Sequence, residues 1–384
     1  MQTADRRWAW AEVDLGAVAR NVRTLRATLA PGTKFMAVVK ADGYGRGAGE
    51  VARAALRAGA DRIGVATLEE ALRLRAAGVT APLHLLSEAP PRSADRIVDA
   101  GITATLFSAD FASALSRAAA AQQRPAPFHL KVETGMNRIG VRAEDAADFV
   151  ESLRGLPGIL LEGTFTHFAT ADVPGDWEFE RQLERFAATL AEFRRRGMDP
   201  GIVHAANSAA TILHPETHFD MVRCGIALYG LHPDASTHGR IALAPAMSVK
   251  ARVTRVARLA MGEGVSYGMT WHAAAPTTVA TLPIGYADGI RRSLSNTMHV
   301  LIGGRPCRQI GRVCMDQLMV EVPRGLEVAV GDEAVLIGRQ GSEELTLEHM
   351  AALASTIDYE IACGLGARLG RVYLGEGDRS ESDG

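Results

Sequence analysis

The chain has 384 residues, 47% hydrophobic and 22% charged, values of an ordinary globular protein with a sizeable core. Lysine plus arginine number 42 against 44 aspartate plus glutamate, a net charge of −2, without the basic surplus that a nucleic-acid or anionic-membrane partner requires. Four cysteines cannot form a disulfide framework in a chain this long, no apolar run approaches the roughly 18 residues of a membrane span, and Glu12 and Asp14 interrupt any signal-peptide segment. The expectation is a soluble, cytoplasmic enzyme of two or three domains, ending in a disordered polar tail over 375–384.

Leu15, Val18, Val22, Leu25 and Leu29 recur at helical spacing. The run Phe35-Met36-Ala37-Val38-Val39-Lys40 reads as a strand, an alanine-rich helix follows over 48–59, and residues 62–66 form the next strand. Further strands are expected over 82–87, 102–107, 128–133, 161–168, 202–207 and 219–225, with helices between most of them, the longest over about 177–196. Eight short strands, apolar along most of their length and alternating with helices, imply a parallel sheet buried on both faces. Eight such units over residues 1–240 fit an α/β fold of the (β/α)8 TIM-type barrel; an open doubly wound sheet stays possible, although G-x-G-x-x-G is missing after the first strand. From about Leu243 the pattern changes. Val249, Ala251 and Val253 alternate with polar residues, as do Val320 and Val322 around Glu321, and turns fall at Gly262-Glu263-Gly264 and Gly303-Gly304. Residues 241–384 therefore read as a mainly antiparallel β domain behind a linker over 233–245, and the first ten or so residues are candidates to pair with it.

In such a barrel the chemistry sits at the C-terminal strand ends. Those ends carry Lys40, Lys131 with Glu133, His167, Asn207 with Ser208, and Arg223. Buried charges are costly unless paired, so this concentration is hard to explain as packing. A lysine ending a buried strand is partly desolvated, which frees its amine for Schiff-base chemistry, and Gly43, Gly45 and Gly47 let backbone approach a ligand. Taken alone, the motif reads equally as a lysine reaching water from a strand end ahead of a flexible loop.

The segment Ala37-Val38-Val39-Lys40-Ala41-Asp42-Gly43-Tyr44-Gly45 resembles the pyridoxal-phosphate lysine motif of bacterial alanine racemases. Further segments resemble that family in the same order: Lys131-Val132-Glu133-Thr134-Gly135-Met136-Asn137-Arg138, Thr166-His167-Phe168, Ala206-Asn207-Ser208, Val222-Arg223-Cys224-Gly225-Ile226, Val265-Ser266-Tyr267-Gly268, Gly285-Tyr286-Ala287-Asp288, Cys314-Met315-Asp316-Gln317 and Asp358-Tyr359-Glu360. One departure is Arg46, where the family usually carries histidine.

The resemblance implies pyridoxal 5'-phosphate carried on Lys40, a homodimer with shared active sites, and interconversion of L- and D-alanine for peptidoglycan. It implies Lys40 as the base on the D face and Tyr267, reaching in from the second subunit, as the base on the L face. His167 and Arg223 are implied as the system favouring the phenolate, and Arg223 as a donor that leaves the pyridine nitrogen neutral. Tyr44, Ser208 and Tyr359 are implied as phosphate donors together with the backbone of Ser208, Gly225 and Ile226, with Asn207 in the cofactor set. Arg138 and the N–H of Met315 are implied to bind the substrate carboxylate. Lys131, carbamylated in many relatives, is implied to orient Arg138; Cys314, Asp316 and Tyr286 support the site. Asp172, Arg292, Arg312 and Ile357 are implied at the entrance, with Tyr267 and Tyr359 as an inner constriction that favours alanine.

In isolation the same residues have plainer readings. His167 is a core histidine, Tyr267 a half-buried strand tyrosine, Arg223 the partner of a core carboxylate, Lys131 the ion-pair partner of Glu133, and Ser208 a helix N-cap. Cys314 is expected as a packed thiol rather than a nucleophile, and Cys224, Cys307 and Cys363 as buried small residues. No cysteine–histidine spacing suggests zinc. Two other functions remain in view: a decarboxylase on the same scaffold, which resembles this chain in layout but uses a Gly-Gly-Gly tract absent here, and a pyridoxal-phosphate carrier similar to the barrel alone.

Overall fold

Short apolar runs between helices close into a barrel. The computed structural model describes residues 7–173 and 175–375, so the expected tail beyond Gly375 lies outside the described residues. The chain divides into two compact units, Gly16–Gly43 with Gly47–Pro245, and Met1–Leu15 with Tyr44–Arg46 and Ala246–Gly384.

In the first unit eight strands run parallel: Lys34–Val38, Arg62–Val65, Leu83–Leu85, Ala104–Leu106, Ala126–Glu133, Ile159–Phe165, Ile202–His204 and Met221–Cys224. Met221–Cys224 pairs with Lys34–Val38, which continues through Arg62–Val65 to Leu83–Leu85; Ala104–Leu106 continues through Ala126–Glu133 and Ile159–Phe165 to Ile202–His204. The two arcs join at a parallel bridge between His84 and Thr103 and at the bonds Asp220 N–H to Val203 O and Arg223 N–H to Ala206 O, each 3.0 Å. The sheet is therefore closed rather than open. The longest helix, Trp177–Arg195, is capped by Asp176 and buries Phe179, Phe186, Leu190 and Phe193 along one stripe, with Arg194 and Arg195 at its negative end. The interior of the barrel departs from the apolar expectation, because Arg62, His84, His129, Lys131, His204 and Arg223 are all buried.

The second unit is a sheet whose strands run in the order Arg255–Leu259, Thr277–Leu282, Leu318–Val322, Arg305–Ile310, His299–Ile302, Glu333–Gln340, Met247–Arg252, Ala9–Asp14 and Gly370–Leu374. All neighbours are antiparallel except the last pair, where Trp10 stands opposite Gly370. Met247, Val249 and Ala251 are buried while Ser248, Lys250 and Arg252 are not, the period of a half-solvated sheet. Two helices, Leu347–Leu353 and Asp358–Gly364, complete the unit. Cys224 and Cys307 are buried, but Cys363 is exposed. The Asp358–Gly364 helix turns Asp358, Ile361 and Ala362 inward, and Cys363 falls off that face. Among the described residues no helix is long and apolar enough to cross a membrane.

Candidate active site

Lys40 lies two residues beyond the Lys34–Val38 strand and opens a six-residue helical turn. Residues 41–45 of that turn are all left-handed: φ is 50° at Ala41, 53° at Asp42, 64° at Gly43, 53° at Tyr44 and 79° at Gly45. For an L-residue this conformation costs roughly 1–2 kcal/mol, so the turn exists only because other bonds hold it. Glu70 accepts from the N–H of Ala41 and of Ala66, both at 2.8 Å, and Asp42 accepts from the N–H of Ala48 at 2.9 Å. The glycines here carry a specific reversed turn, in place of the flexible loop that sequence suggested.

Met36 and Ala37, just before Lys40, stand opposite Arg223 and Cys224 on the next strand. Arg223 is 4% exposed and donates to the carbonyls of Thr166 and Ala205, both at 2.9 Å. Its guanidinium also meets His167 Nδ1 at 3.1 Å and His204 Nδ1 at 3.0 Å. None of these partners is a carboxylate, so the plain reading of Arg223 as half of a core ion pair is set aside. Burial pushes the guanidinium down to about 9, and it remains a cation at neutral pH. Burial, and then the charges of Arg223, Arg138, Lys131 and Lys40, push His167 well below its ordinary value and keep it neutral.

Lys131 is 3% exposed and donates to the Val132 carbonyl at 2.7 Å. Burial lowers it to about 8. Its expected ion pair with Glu133 does not form: Glu133 instead accepts from the N–H groups of Gly135 and Arg138. Arg138 itself is exposed, but its charge is felt at Lys131, His167 and Arg223. Asn207, not Ser208, caps the Ser208–Leu213 helix, through Oδ1 to the N–H of Ala210 at 3.0 Å. The Ser208 hydroxyl is thereby free of capping and accepts from the N–H groups of Gly225 at 3.0 Å and Ala227 at 3.4 Å, gathering the Gly225-Ile226 turn beside it. Asp172 is half-buried in the same unit, its carbonyl accepting from Ser236 at 3.1 Å.

The second unit holds the remaining residues in two groups. Tyr44 is 7% exposed and its ring centroid lies 6.1 Å from that of Tyr359. Burial pushes the Tyr44 hydroxyl up, so it stays a neutral donor. Asp358, beside Tyr359, is raised to about 6, mainly by burial, with Arg46 opposing. Arg46 is fully buried and donates to the Tyr44 carbonyl at 2.7 Å, an anchor for the reversed turn. In the other group, Tyr267 is 73% exposed on a three-residue turn, rather than half-buried in a strand. Ser266 ties that turn to the Arg312 carbonyl at 2.7 Å and contacts Cys314 Sγ at 3.3 Å. The N–H groups of Tyr286 and Ala287 donate to the Cys314 and Met315 carbonyls, both at 3.0 Å, and Arg368 holds Asp316 at 2.7 Å. Met315, Arg292 and Ile357 are exposed.

The family description "Alanine racemase, N-terminal domain" matches residues 13–233, and "Alanine racemase, C-terminal domain" matches residues 246–373. The chain is 50% identical over 368 residues to the alanine racemase of Symbiobacterium thermophilum, covering 96% of this chain and 97% of that one. The crystal structure of alanine racemase from Bacillus anthracis with bound L-Ala-P superposes with a TM-score of 0.92 at 37% identity, over 97% of this chain and 96% of that chain. The alanine racemase from Bartonella henselae with covalently bound pyridoxal phosphate gives 0.86 at 30% identity, over 96% and 100%. The chain belongs to the alanine racemase family.

Alanine racemases depend on pyridoxal phosphate, and the donor set of the barrel fits that group. The turn after one strand offers a lysine amine, the neighbouring strand a buried guanidinium without a carboxylate partner, and the next a serine hydroxyl among turned backbone N–H groups. An aldehyde, a ring nitrogen and a phosphate ask for those three things. Sequence motifs missed the support behind them: Glu70 under the reversed turn, and Arg62, His129, Glu162 and His204 inside the barrel. One signal was available, since each of those barrel residues is a charged or imidazole group in a short, mostly apolar strand.

Proposed function

We propose that this racemase interconverts L- and D-alanine with two bases, Lys40 and Tyr267, in a homodimer whose sites draw on both subunits. The observation that carries the reading is Arg223, buried, donor-only and partnered by carbonyls and imidazoles. Pyridoxal phosphate would be held by Lys40 at rest and, joined to the amino acid in place of that lysine, would withdraw electrons and so acidify the Cα proton. Arg223 can hold a hydrogen bond to the ring nitrogen without giving up its proton, which limits how far the charge spreads and favours return of the proton to Cα. A decarboxylase with a carboxylate at that place would do the opposite.

The Lys40 amine takes or returns the proton on the D face, and the Tyr267 phenol does so on the L face. His167, neutral and bonded to Arg223, serves as the neighbour that tunes the phenol. The exposure of Tyr267, Tyr286 and Met315 within one chain supports their use by a partner subunit. Ser208, Gly225 and Ile226, with Tyr44 and Tyr359, hold the phosphate, with Asn207 fixing the helix that presents Ser208. Arg138 and the Met315 N–H bind the substrate carboxylate, supported by Cys314, Asp316 and Tyr286. Lys131, lowered to about 8, exposes a share of free amine at neutral pH, the form that carbon dioxide carbamylates. Asp172, Arg292, Arg312 and Ile357 line the entrance, and the enzyme works in the cytoplasm.

Incubation with L-alanine in heavy water tests the reading. Cα-deuterated D-alanine is the expected product. Carbon dioxide and an amine would mean a decarboxylase, and unchanged L-alanine a carrier.

A further inference from the structure

The barrel interior holds a second polar system that the reaction does not touch. His204 lies between Arg223 and His129: its Nδ1 is 3.0 Å from Arg223 Nη1, and its Nε2 is 2.7 Å from His129 Nδ1. His129 Nε2 is in turn 3.0 Å from Glu162 Oε2. Arg62 grips Glu162 with both terminal nitrogens, at 2.7 and 2.8 Å. His129 and His204 are 0% exposed, with Phe165 stacked on His204 and the edge of His84 against His129 at 4.5 Å.

The ends of this chain decide its protons. Arginine only donates, so His204 Nδ1 must accept and its proton must sit on Nε2. His129 Nδ1 must then accept, which puts its proton on Nε2, aimed at the Glu162 carboxylate. Neither ring can take a second proton, because that would set two N–H groups against each other or leave the other ring with none. The 3.2 Å approach of Arg62 Nη1 to His129 Nε2 follows from both nitrogens converging on Glu162 Oε2, with Thr103 Oγ1 also within reach of Arg62 at 3.4 Å.

We propose that Glu162 is the counter-ion of Arg223, its charge delivered through His204 and His129 as two aligned, neutral, Nε2-protonated imidazoles. Glu162, His129 and His204 are then positioning residues: they hold Arg223 in one orientation and keep it a cation, with no carboxylate beside the ring nitrogen it serves. A carboxylate in direct contact would compete for the guanidinium; one relayed through two rings and shared with Arg62 offsets part of the charge and leaves the donor face available. Burial lowers His129 to about 4 and holds His204 well below its ordinary value, in line with neutral rings. Against the penalty of burial, the bonds from His129 and Arg62 hold Glu162 well below the usual carboxylate range, in line with a permanent anion. The link to catalysis rests on the proposed role of Arg223; the proton positions do not.

Neutron diffraction from deuterated crystals of the holoenzyme reads those positions directly. Deuterium on Nε2 of both His129 and His204, with none on either Nδ1, is expected; deuterium on Nδ1 of either ring overturns the proposal whatever the enzyme does. Glu162→Gln then removes the charge while its amide oxygen can still accept from His129. The ionisation of Arg223, followed through its guanidinium carbon resonance, should fall by about one pH unit, and Glu162→Asp should restore it. If the Arg223 ionisation stays put while the variant merely melts earlier, Glu162 is only a structural residue and the proposal fails. Should Glu162→Gln not fold, the neutron result on the unaltered protein still decides.

Discussion

Apart from the buried Tyr44 and Arg46 of the second unit, the two units present their chemistry in opposite ways. In the barrel, Arg223, Lys131 and His204 are 0–4% exposed; several hydrogen bonds fix Arg223 and His204, and one to the Val132 carbonyl holds Lys131. In the antiparallel unit, Tyr267 is 73% exposed, Met315 52% and Tyr286 42%, and what is fixed is the backbone beneath them. A group that holds a cofactor through every turnover gains from permanent burial. A group proposed to reach a site in another subunit must stay uncovered in its own. Breaking the buried side should abolish the reaction, whereas breaking the exposed side should make it one-handed.

The largest effect belongs to Lys40→Ala. Racemisation should fall by at least about a thousandfold, and borohydride should trap no cofactor on the chain. Trapping on another lysine would move the assignment. Next comes Tyr267→Phe, which should slow proton removal from L-alanine about a hundredfold and from D-alanine far less. Equal losses in both directions would sink the two-base scheme. Mixing Lys40→Ala with Tyr267→Phe chains should recover up to about a quarter of the activity if subunits exchange and each site draws on both. Proven exchange without recovery would place both bases in one chain.

The sequence carried the fold well because its signals are local. Eight apolar runs, each bounded by turn residues, sit within a few residues of the eight strands, and alternation at Val249-Ala251-Val253 marks the sheet that follows. What stayed hidden depends on the third dimension. Lys-Ala-Asp-Gly-Tyr-Gly does not announce a continuous left-handed turn, since Ala41 and Tyr44 are poor candidates for it; the bonds from Glu70 and Asp42 decide. His129 and His204 are 75 positions apart, and only barrel closure makes them neighbours. Cys363 reads as a buried small residue by type, but one step round a helix exposes it.

The reversed turn gives the next test. Gly45 has φ of 79°, and a Cβ there would stand 2.5 Å from the Ala362 carbonyl. The carbonyl belongs to a helix and cannot yield. Gly45→Ala should therefore cost about 3 kcal/mol, read as a lower melting temperature, and should loosen the anchoring of Arg371, which donates to the Gly45 carbonyl at 2.7 and 2.9 Å. A variant as stable as the parent would mean that the turn relaxes at no cost.

The smallest effect is a pH response that differs between the units. His84, His129 and His204 are neutral when folded because burial lowers all three, but each takes up a proton below about 6.5 once unfolded. The unfolded barrel therefore binds more protons, and its stability falls as pH falls, by about 2 kcal/mol for the three together between pH 7 and 6. Asp358 has the opposite sign. Its carboxyl is raised to about 6, so the folded state binds the extra proton and stability rises slightly as pH falls towards that value. Hydrogen exchange, corrected for the intrinsic pH dependence of the amides, should then show protection lost in Ala126–Glu133 and Ile202–His204 as pH drops from 7 to 6, while Asp358–Gly364 holds or gains. If both regions lose protection together, the two units unfold as one and the contrast between them is confined to exposure. If the barrel strands keep theirs, the three histidines are not neutral in the folded state, and the aligned chain from Arg223 to Glu162 would have to carry a proton that its geometry has no place for.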